Sequence, residues 1–192
     1  MPFTRAELLA YRDALVPDLL GPNLRLLFVG INPGLWSAAT GSHFARPGNR
    51  FYPALAAAGI TDHEIRAGDG MAAADRNHLI DRGVGITNIV PRATARADEL
   101  GAEELRTGAR RLAARVETLG ARVVAVAGVS AYRVGFERPK AQLGRQPETL
   151  GGAELWVVPN PSGLNAHHSV ATLAAAYREA ARAAGLDVPE GG

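Results

Sequence analysis

Leu24–Gly30 reads LRLLFVG and runs directly into Ile31-Asn32-Pro33-Gly34. A nearly unbroken apolar run of this length, closed by turn residues, is the pattern of a strand buried on both faces of a parallel sheet. Three more runs have the same form: Val84–Val90 (VGITNIV), Arg122–Gly128 (RVVAVAG) and Glu154–Pro159 (ELWVVP). Between them lie stretches with helical patterning at Arg50–Ala58, Asp75–Arg82, Ala102–Leu119 and Ala131–Phe136, and an Ala-rich stretch, Val170–Ala184, follows the last. Ahead of the first run, Thr4 and Glu7 form a T-x-x-E capping box before Leu8, Leu9 and Leu15, which predicts a helix from Thr4 to about Pro17. Strand and helix alternate throughout. That order predicts an α/β fold of three layers, α/β/α, around a central parallel sheet of four strands. Sheets of this kind bind ligands beyond the carboxyl ends of their strands, so function is to be sought in the segments that follow each run.

The 192 residues suit one domain, read as 1–189 with 190–192 as a loose tail, and no internal repeat or linker interrupts them. Cysteine is absent, which excludes disulfides, Cys-held iron–sulfur clusters, Cys-type zinc sites and a cysteine nucleophile. The five histidines, His43, His63, His78, His167 and His168, show no H-E-x-x-H spacing, so the sequence reads as having no dedicated metal site and no cofactor. Lys140 is the only lysine, and nearly all positive charge is therefore guanidinium, suited to gripping phosphate or carboxylate. A net charge of +2 leans only mildly towards nucleic acid. No apolar run approaches the ~18–20 residues of a membrane span, and the first residues do not resemble a signal peptide, which points to a cytoplasmic protein without a membrane partner.

The segment after the first strand is unusually long. It runs from Ile31 through Ser42, His43, Phe44, Arg46 and Asn49 before the next helix, where such connections usually take ~2–6 residues. Asn32-Pro33-Gly34 reads either as a plain turn or as part of a site. After the last strand comes Asn160-Pro161-Ser162-Gly163-Leu164-Asn165, with a large apolar residue at the tip of a polar turn. Leu164 either folds back onto the core or acts as a wedge of the kind that enters distorted duplex DNA.

Gly30-Ile31-Asn32-Pro33-Gly34-Leu35, Phe44–Phe51 (FARPGNRF) and Asn160-Pro161-Ser162-Gly163-Leu164, in this order and each after a strand, resemble the mismatch-specific uracil-DNA glycosylase and thymine-DNA glycosylase family. The likeness spans roughly Leu24 to Tyr177. It implies a uracil-DNA glycosylase-like fold and a base-excision repair activity on double-stranded DNA carrying a mispaired or damaged pyrimidine. By the resemblance, Asn32 positions or polarises the water that attacks the deoxyribose C1′. Gly30 and Ile31 belong to the base pocket, Phe44 stacks on the extruded ring, and Asn88 and Ser37 border the pyrimidine. His43, beside Phe44, is placed to contact the base or a phosphate. Ser162 matches a phosphate contact, and Gly163, Leu164 and Asn165 match the loop that fills the vacated space. Asn165-Ala166-His167 departs from the family, where a small residue followed by Arg is usual.

The implied chemistry suits these residue types. A stacked base cannot be reached, so it must flip out, at least cost from a mismatch. Sugar hydrolases generally need a pair of carboxyl groups because an alkoxide leaves poorly. Uracil leaves as a stabilised anion, so an amide-held water and hydrogen bonds to the base suffice. Two other readings stay open. A non-catalytic damage binder would use the same wedge and groove, and the chain reads as a monomer in either case. A serine hydrolase would use Ser130 with Glu154 and His167, although Tyr132 crowds the elbow motif and Ser130 reads more simply as a helix N-cap. His63 and His78 read as solvated loop residues, and His167, His168, Arg46 and Arg50 as phosphate contacts or solvated helix starts.

Overall fold

A computed structural model describes residues 3–190. Of the expected tail, residues 191 and 192 lie outside that range, and Glu190 is exposed. The four expected strands form as β1 (Leu26–Gly30), β2 (Val84–Asn88), β3 (Val123–Ala127) and β5 (Ala153–Val158), all mutually parallel. The sheet has five strands, however, in the order β2-β1-β3-β5-β4. The extra one, β4 (Gly144–Leu150), pairs antiparallel with β5. Only Gln146 and Leu150 of its seven residues are buried, Pro147 lies inside it, and its register shifts between Arg145 and Thr149. These are the marks of an edge strand, where half the side chains face water and a missing N–H costs nothing. Gly151 and Gly152, both at positive φ, make the two-residue turn into β5.

Helices cover both faces. On one, α3 (Phe51–Ala57), α4 (Ala73–Asp81) and α7 (Val170–Ala183) bring Phe51, Leu55, Leu79, Leu173 and Tyr177 against Phe28 and Ala125 of the sheet. On the other, α5 (Ala102–Leu119) and α6 (Val129–Gly135) bring Leu105, Leu112, Val116 and Tyr132 against Leu27, Val29, Val124 and Val157. Successive strand residues thus serve opposite layers, which is why the sequence there is continuously apolar.

The first helix, α1 (Arg5–Leu9), has the expected capping box on Thr4 but stops well short of Pro17. It buries no residue, so nothing holds a further turn. Asp13 takes φ 64 and the chain then runs beside β2, with bridges Leu15 to Arg92 and Leu19 to Ile86 that cover this edge of the sheet. The long connection after β1 contains a further helix, α2 (Leu35–Thr40), closed by Gly41 at φ 65. Among the described residues no helix is long and apolar enough to cross a membrane.

The chain leaves β1 to build β2 on one side and returns to build β3 on the other. The reversal point lies between β1 and β3, at the carboxyl ends of the strands, where such sheets place their ligands.

Candidate active site

The segments beyond β1, β2, β3 and β5 close round a cleft of about 650 Å³. Gly30, Ile31, Asn32, Ser37, His43, Phe44, Asn88, Ser162 and Leu164 all line it, although they come from three separate parts of the chain. A larger groove of about 830 Å³ lies between the Leu15–Asp18 segment and α5. Four of its rim charges pair off as Arg92–Glu104 and Arg115–Asp18, and it faces the outer side of β2 rather than the reversal point.

The Asn32 side chain has its orientation fixed by partners that leave no alternative. Its Nδ2 donates to the Arg92 carbonyl at 3.0 Å and to Thr94 Oγ1 at 2.8 Å. The Thr94 hydroxyl spends its own hydrogen on the Arg96 carbonyl at 2.7 Å, so towards Asn32 it can only accept. Both amide hydrogens are therefore used, and Oδ1 is the amide atom left to serve the cleft. A backbone bond from Thr94 N–H to Pro33 O at 3.1 Å ties the two segments together.

A second amide is fixed in the same way. His43 is buried, and its Nε2 lies 3.0 Å from the Pro17 carbonyl, which can only accept. Burial lowers the His43 pKa, outweighing the Pro17 bond and the nearby Asp18 charge that favour the cation, while Arg76 adds to the lowering. The neutral ring thus carries its hydrogen on Nε2, and Nδ1 accepts from Asn88 Nδ2 at 3.1 Å. Tyr52 Oη secures the His43 carbonyl at 2.7 Å. The Asn88 Oδ1 then lies over Gly30, where a Cβ would come within 2.5 Å of it and 3.2 Å of Phe44 Cζ. Only glycine at 30 leaves that acceptor and the ring edge in place.

Phe44 stacks on Phe51 with centroids 4.1 Å apart and planes 23° from parallel. Its φ of 54 is a conformation that costs a bulky residue about 1–2 kcal/mol, and such strain is found where a side chain must be aimed. Ser37 is buried, and its Oγ accepts from Ala45 N–H at 3.3 Å.

The segment after β5 is organised from within and from α3. Asn160 Oδ1 accepts from Ser162 N–H at 3.0 Å, and Asn165 Nδ2 donates to the Asn160 carbonyl at 3.1 Å. Arg50 donates to the Ser162 carbonyl at 2.7 Å and to the carbonyls of Asn165 and His168, while its N–H reaches Pro161 O at 2.9 Å. Its guanidinium therefore serves the protein's own backbone rather than lying free for phosphate. Gly163 packs over Gly48, where a Cβ would stand 2.7 Å from the carbonyl oxygen. Leu164 is 79% exposed, so it does not fold back onto the core. Gly163 and Asn165 do not line the cleft; they shape the turn that carries Leu164.

Thr94, Arg96 and Asp98, which have no motif to mark them, also line the cleft, as does Asn160 at the start of the turn after β5. Asp98 contributes a carboxylate, paired with Arg96 at 2.6 Å. The hydrolase reading fails on geometry. Gly128, not Ser130, caps α6, and Glu154 pairs with Val123 at the opposite end of the sheet, about 13 Å of strand from Ala127. Glu154 instead accepts from Trp156 Nε1 and pairs with Arg145. His78 lies on α4 rather than in a loop, and with Asp62 and His63 it forms a cluster able to hold a metal, apart from the cleft.

Residues 17–183 match the uracil DNA glycosylase superfamily, and the chain belongs to that family. Among solved structures, the fold is similar to the solution NMR structure of a candidate uracil DNA glycosylase from Methanosarcina acetivorans. The TM-score is 0.58 at 19% identity, over 87% of this chain and 97% of that one.

Proposed function

We propose that the chain is a monofunctional DNA glycosylase. In this reading it acts as a single domain (1–189) and a monomer, without cofactor, on uracil mispaired with guanine in duplex DNA, and so begins base-excision repair. Thymine and damaged pyrimidines are slower substrates. The observation that carries this reading is the pair of fixed amides, Asn32 and Asn88, each with its oxygen left to one cleft at the sheet's reversal point.

The mispaired base leaves the stack and enters the cleft, a step that costs least where pairing is already poor. Phe44 offers its ring for stacking, and Asn88 Oδ1 accepts the N3–H of uracil. Cytosine presents a bare N3 at that position, so an acceptor facing it repels the normal base. Asn32 Oδ1 accepts a hydrogen from water and turns its lone pair to C1′. The C1′–N1 bond breaks, the electron pair departs with uracil as an anion, and water supplies the new C1′–O bond and releases a proton. Leu164 occupies the space the base has left, and Ser162 holds a neighbouring phosphate. Strand scission through a Schiff base needs an accessible amine. Lys140, the only lysine, lies outside the cleft lining, which supports a monofunctional enzyme.

The testing experiment is a cleavage panel of duplexes carrying U·G, U·A, T·G and ethenocytosine·G, with single-stranded uracil. Release of free base from U·G ahead of the others supports the reading. Tight binding to U·G with no base released would favour a non-catalytic damage binder.

A further inference from the structure

Away from the cleft, the turn after α3 and the helix α4 bring together three groups whose ligand atoms all lie within 4.8 Å of one another: Asp62, His63 and His78. His63 is held from both sides. Its Nε2 lies 2.7 Å from Asp75 Oδ1 in the first turn of α4, and its Nδ1 faces Asp62 Oδ1 at 2.5 Å. The His78 Nε2 points at the same Asp62 oxygen from 3.5 Å. That nitrogen is shielded from solvent and has no hydrogen-bond partner among the described residues, a condition proteins seldom leave uncompensated.

We propose that Asp62 Oδ1, His63 Nδ1 and His78 Nε2 bind one divalent ion of the zinc class, with Asp75 orienting His63. Two imidazoles and one carboxylate form a donor set for zinc and its transition-metal neighbours, whereas magnesium and calcium need a shell of oxygens. Ligands ~2.0–2.1 Å from a tetrahedral zinc stand about 3.4 Å apart, so His78 and Asp62 are already spaced for it. The Asp62–His63 contact must open by about 1 Å. Asp62, 76% exposed, is free to make that move. The contact from Asp75 to the far nitrogen of His63 supplies the carboxylate–histidine–metal arrangement that fixes tautomer and ring direction. Three protein ligands leave the fourth position to water. Bound there, the ion would staple the turn at Thr61–His63 to α4, and the shielded His78 nitrogen would gain its missing partner. Residue spacing gave no sign of this because the two histidines meet only once turn and helix have packed.

The test uses metal-stripped full-length protein with His167→Ala and His168→Ala substituted, which removes a second histidine pair that would take up zinc unspecifically. Zn²⁺ is titrated by calorimetry and by thermal unfolding, with Mg²⁺ as comparison. One equivalent of zinc should bind, with a saturating rise in Tm that Mg²⁺ does not reproduce. His78→Ala and Asp62→Asn should each weaken binding by at least tenfold. Asp75→Asn should weaken it by about 10–100-fold, the usual effect of losing an orienting partner. Absence of saturable binding overturns the proposal. So does binding whose stoichiometry and affinity persist in Asp62→Asn, an exposed substitution that leaves the fold intact.

Discussion

His43 Nδ1 accepts from Asn88 Nδ2 at 3.1 Å, and that single contact sets which end of the Asn88 amide meets the cleft. The direction is inherited from Pro17. Its carbonyl can take only a donor, so the buried neutral ring must carry its hydrogen on Nε2 and offer a lone pair on Nδ1. Three residues from three segments therefore fix one acceptor, Asn88 Oδ1. Replacing His43 with Ala frees the amide to turn. Uracil excision should fall by about 10–100-fold, the worth of one to two well-placed hydrogen bonds, and discrimination against cytosine should shrink with it. Single-turnover rates on U·G and C·G duplexes check both, and unchanged discrimination would show that Asn88 is aimed by something else.

The same ring gives a pH dependence. Burial holds the His43 pKa below its ordinary value, so the folded protein resists a proton that the unfolded chain takes up near pH 6.5. The stability His43 contributes is complete above that pH and is lost as pH falls through the lower folded value. Activity should follow, because a proton on Nδ1 would meet the Asn88 N–H. Excision of uracil should be flat from pH 8 to about 6.5 and decline only below it. A decline that begins above pH 7 would contradict the lowered pKa.

Asn32→Ala should leave duplex affinity nearly intact and lower single-turnover excision by about 10²–10⁴-fold, the range for positioned groups in proton-handling roles. Thr94→Val is the more discriminating variant. It keeps the shape, removes one of the two acceptors that orient Asn32, and touches no part of the proposed water path. Its rate should drop about tenfold, as expected from the lost hydrogen bond to Asn32, with binding unchanged, while loss of the Thr94 bond to the Arg96 carbonyl should show as a lower Tm. If Thr94→Val cleaves like the wild type, the Arg92 carbonyl alone is enough to hold the amide.

The layout of these residues shows what a sequence makes legible. Strands β1, β2 and β3 were readable because they are buried on both faces and so are written largely in apolar residues, and β5, half-buried at Glu154 and Trp156, because its other positions are apolar. Strand β4 was not, since Arg145, Pro147 and Glu148 answer to solvent and to its edge position, although Gly151-Gly152 before β5 is itself a hairpin signal. The cap on Thr4 was readable, but the end of α1 depends on the chain turning to cover β2. In the cleft, Asn32, Phe44, Asn88 and Leu164 stand in recognisable motifs. Their supports do not: the Arg92 carbonyl and Thr94 hydroxyl lie about sixty residues from Asn32, and a backbone carbonyl has no sequence signature. Arg50 shows the reverse case. Its place in the sequence fits a phosphate contact or a solvated helix start equally, whereas its guanidinium holds three carbonyls of the protein itself.

Because Arg50 is what gathers the Ser162–His168 segment, Arg50→Met should loosen the turn that carries Leu164 without removing Leu164. Both Arg50→Met and Leu164→Ala should weaken productive binding to mismatched duplex and affect single-stranded uracil much less, since a wedge is useful only where a stack must be opened. Arg50→Lys should recover little, because an ammonium cannot reproduce the fork across several carbonyls. Equal losses on duplex and single strand would place Arg50 in the stability of α3 rather than in DNA engagement.

Ser37 tests substrate scope. It lines the cleft from α2, buried, with Oγ accepting the Ala45 N–H one residue after Phe44. If the pyrimidine C5 points to this wall, a thymine methyl meets a hydroxyl whose own hydrogen bonds it would displace, at a cost on the order of 1–3 kcal/mol. Uracil carries no methyl and avoids that cost, so U·G should be cleaved faster than T·G by about 5–150-fold. Ser37→Ala removes the hydroxyl and should narrow the ratio. It also strips Ala45 N–H of its acceptor, so the variant should unfold at a lower temperature, and uracil excision should fall somewhat as Phe44 loses an anchor. The ratio of the T·G and U·G rates separates the two effects, since loosening of Phe44 lowers both rates while relief at C5 raises only one relative to the other. A ratio unchanged by Ser37→Ala, alongside the expected loss of stability, would mean that the C5 edge faces another part of the cleft.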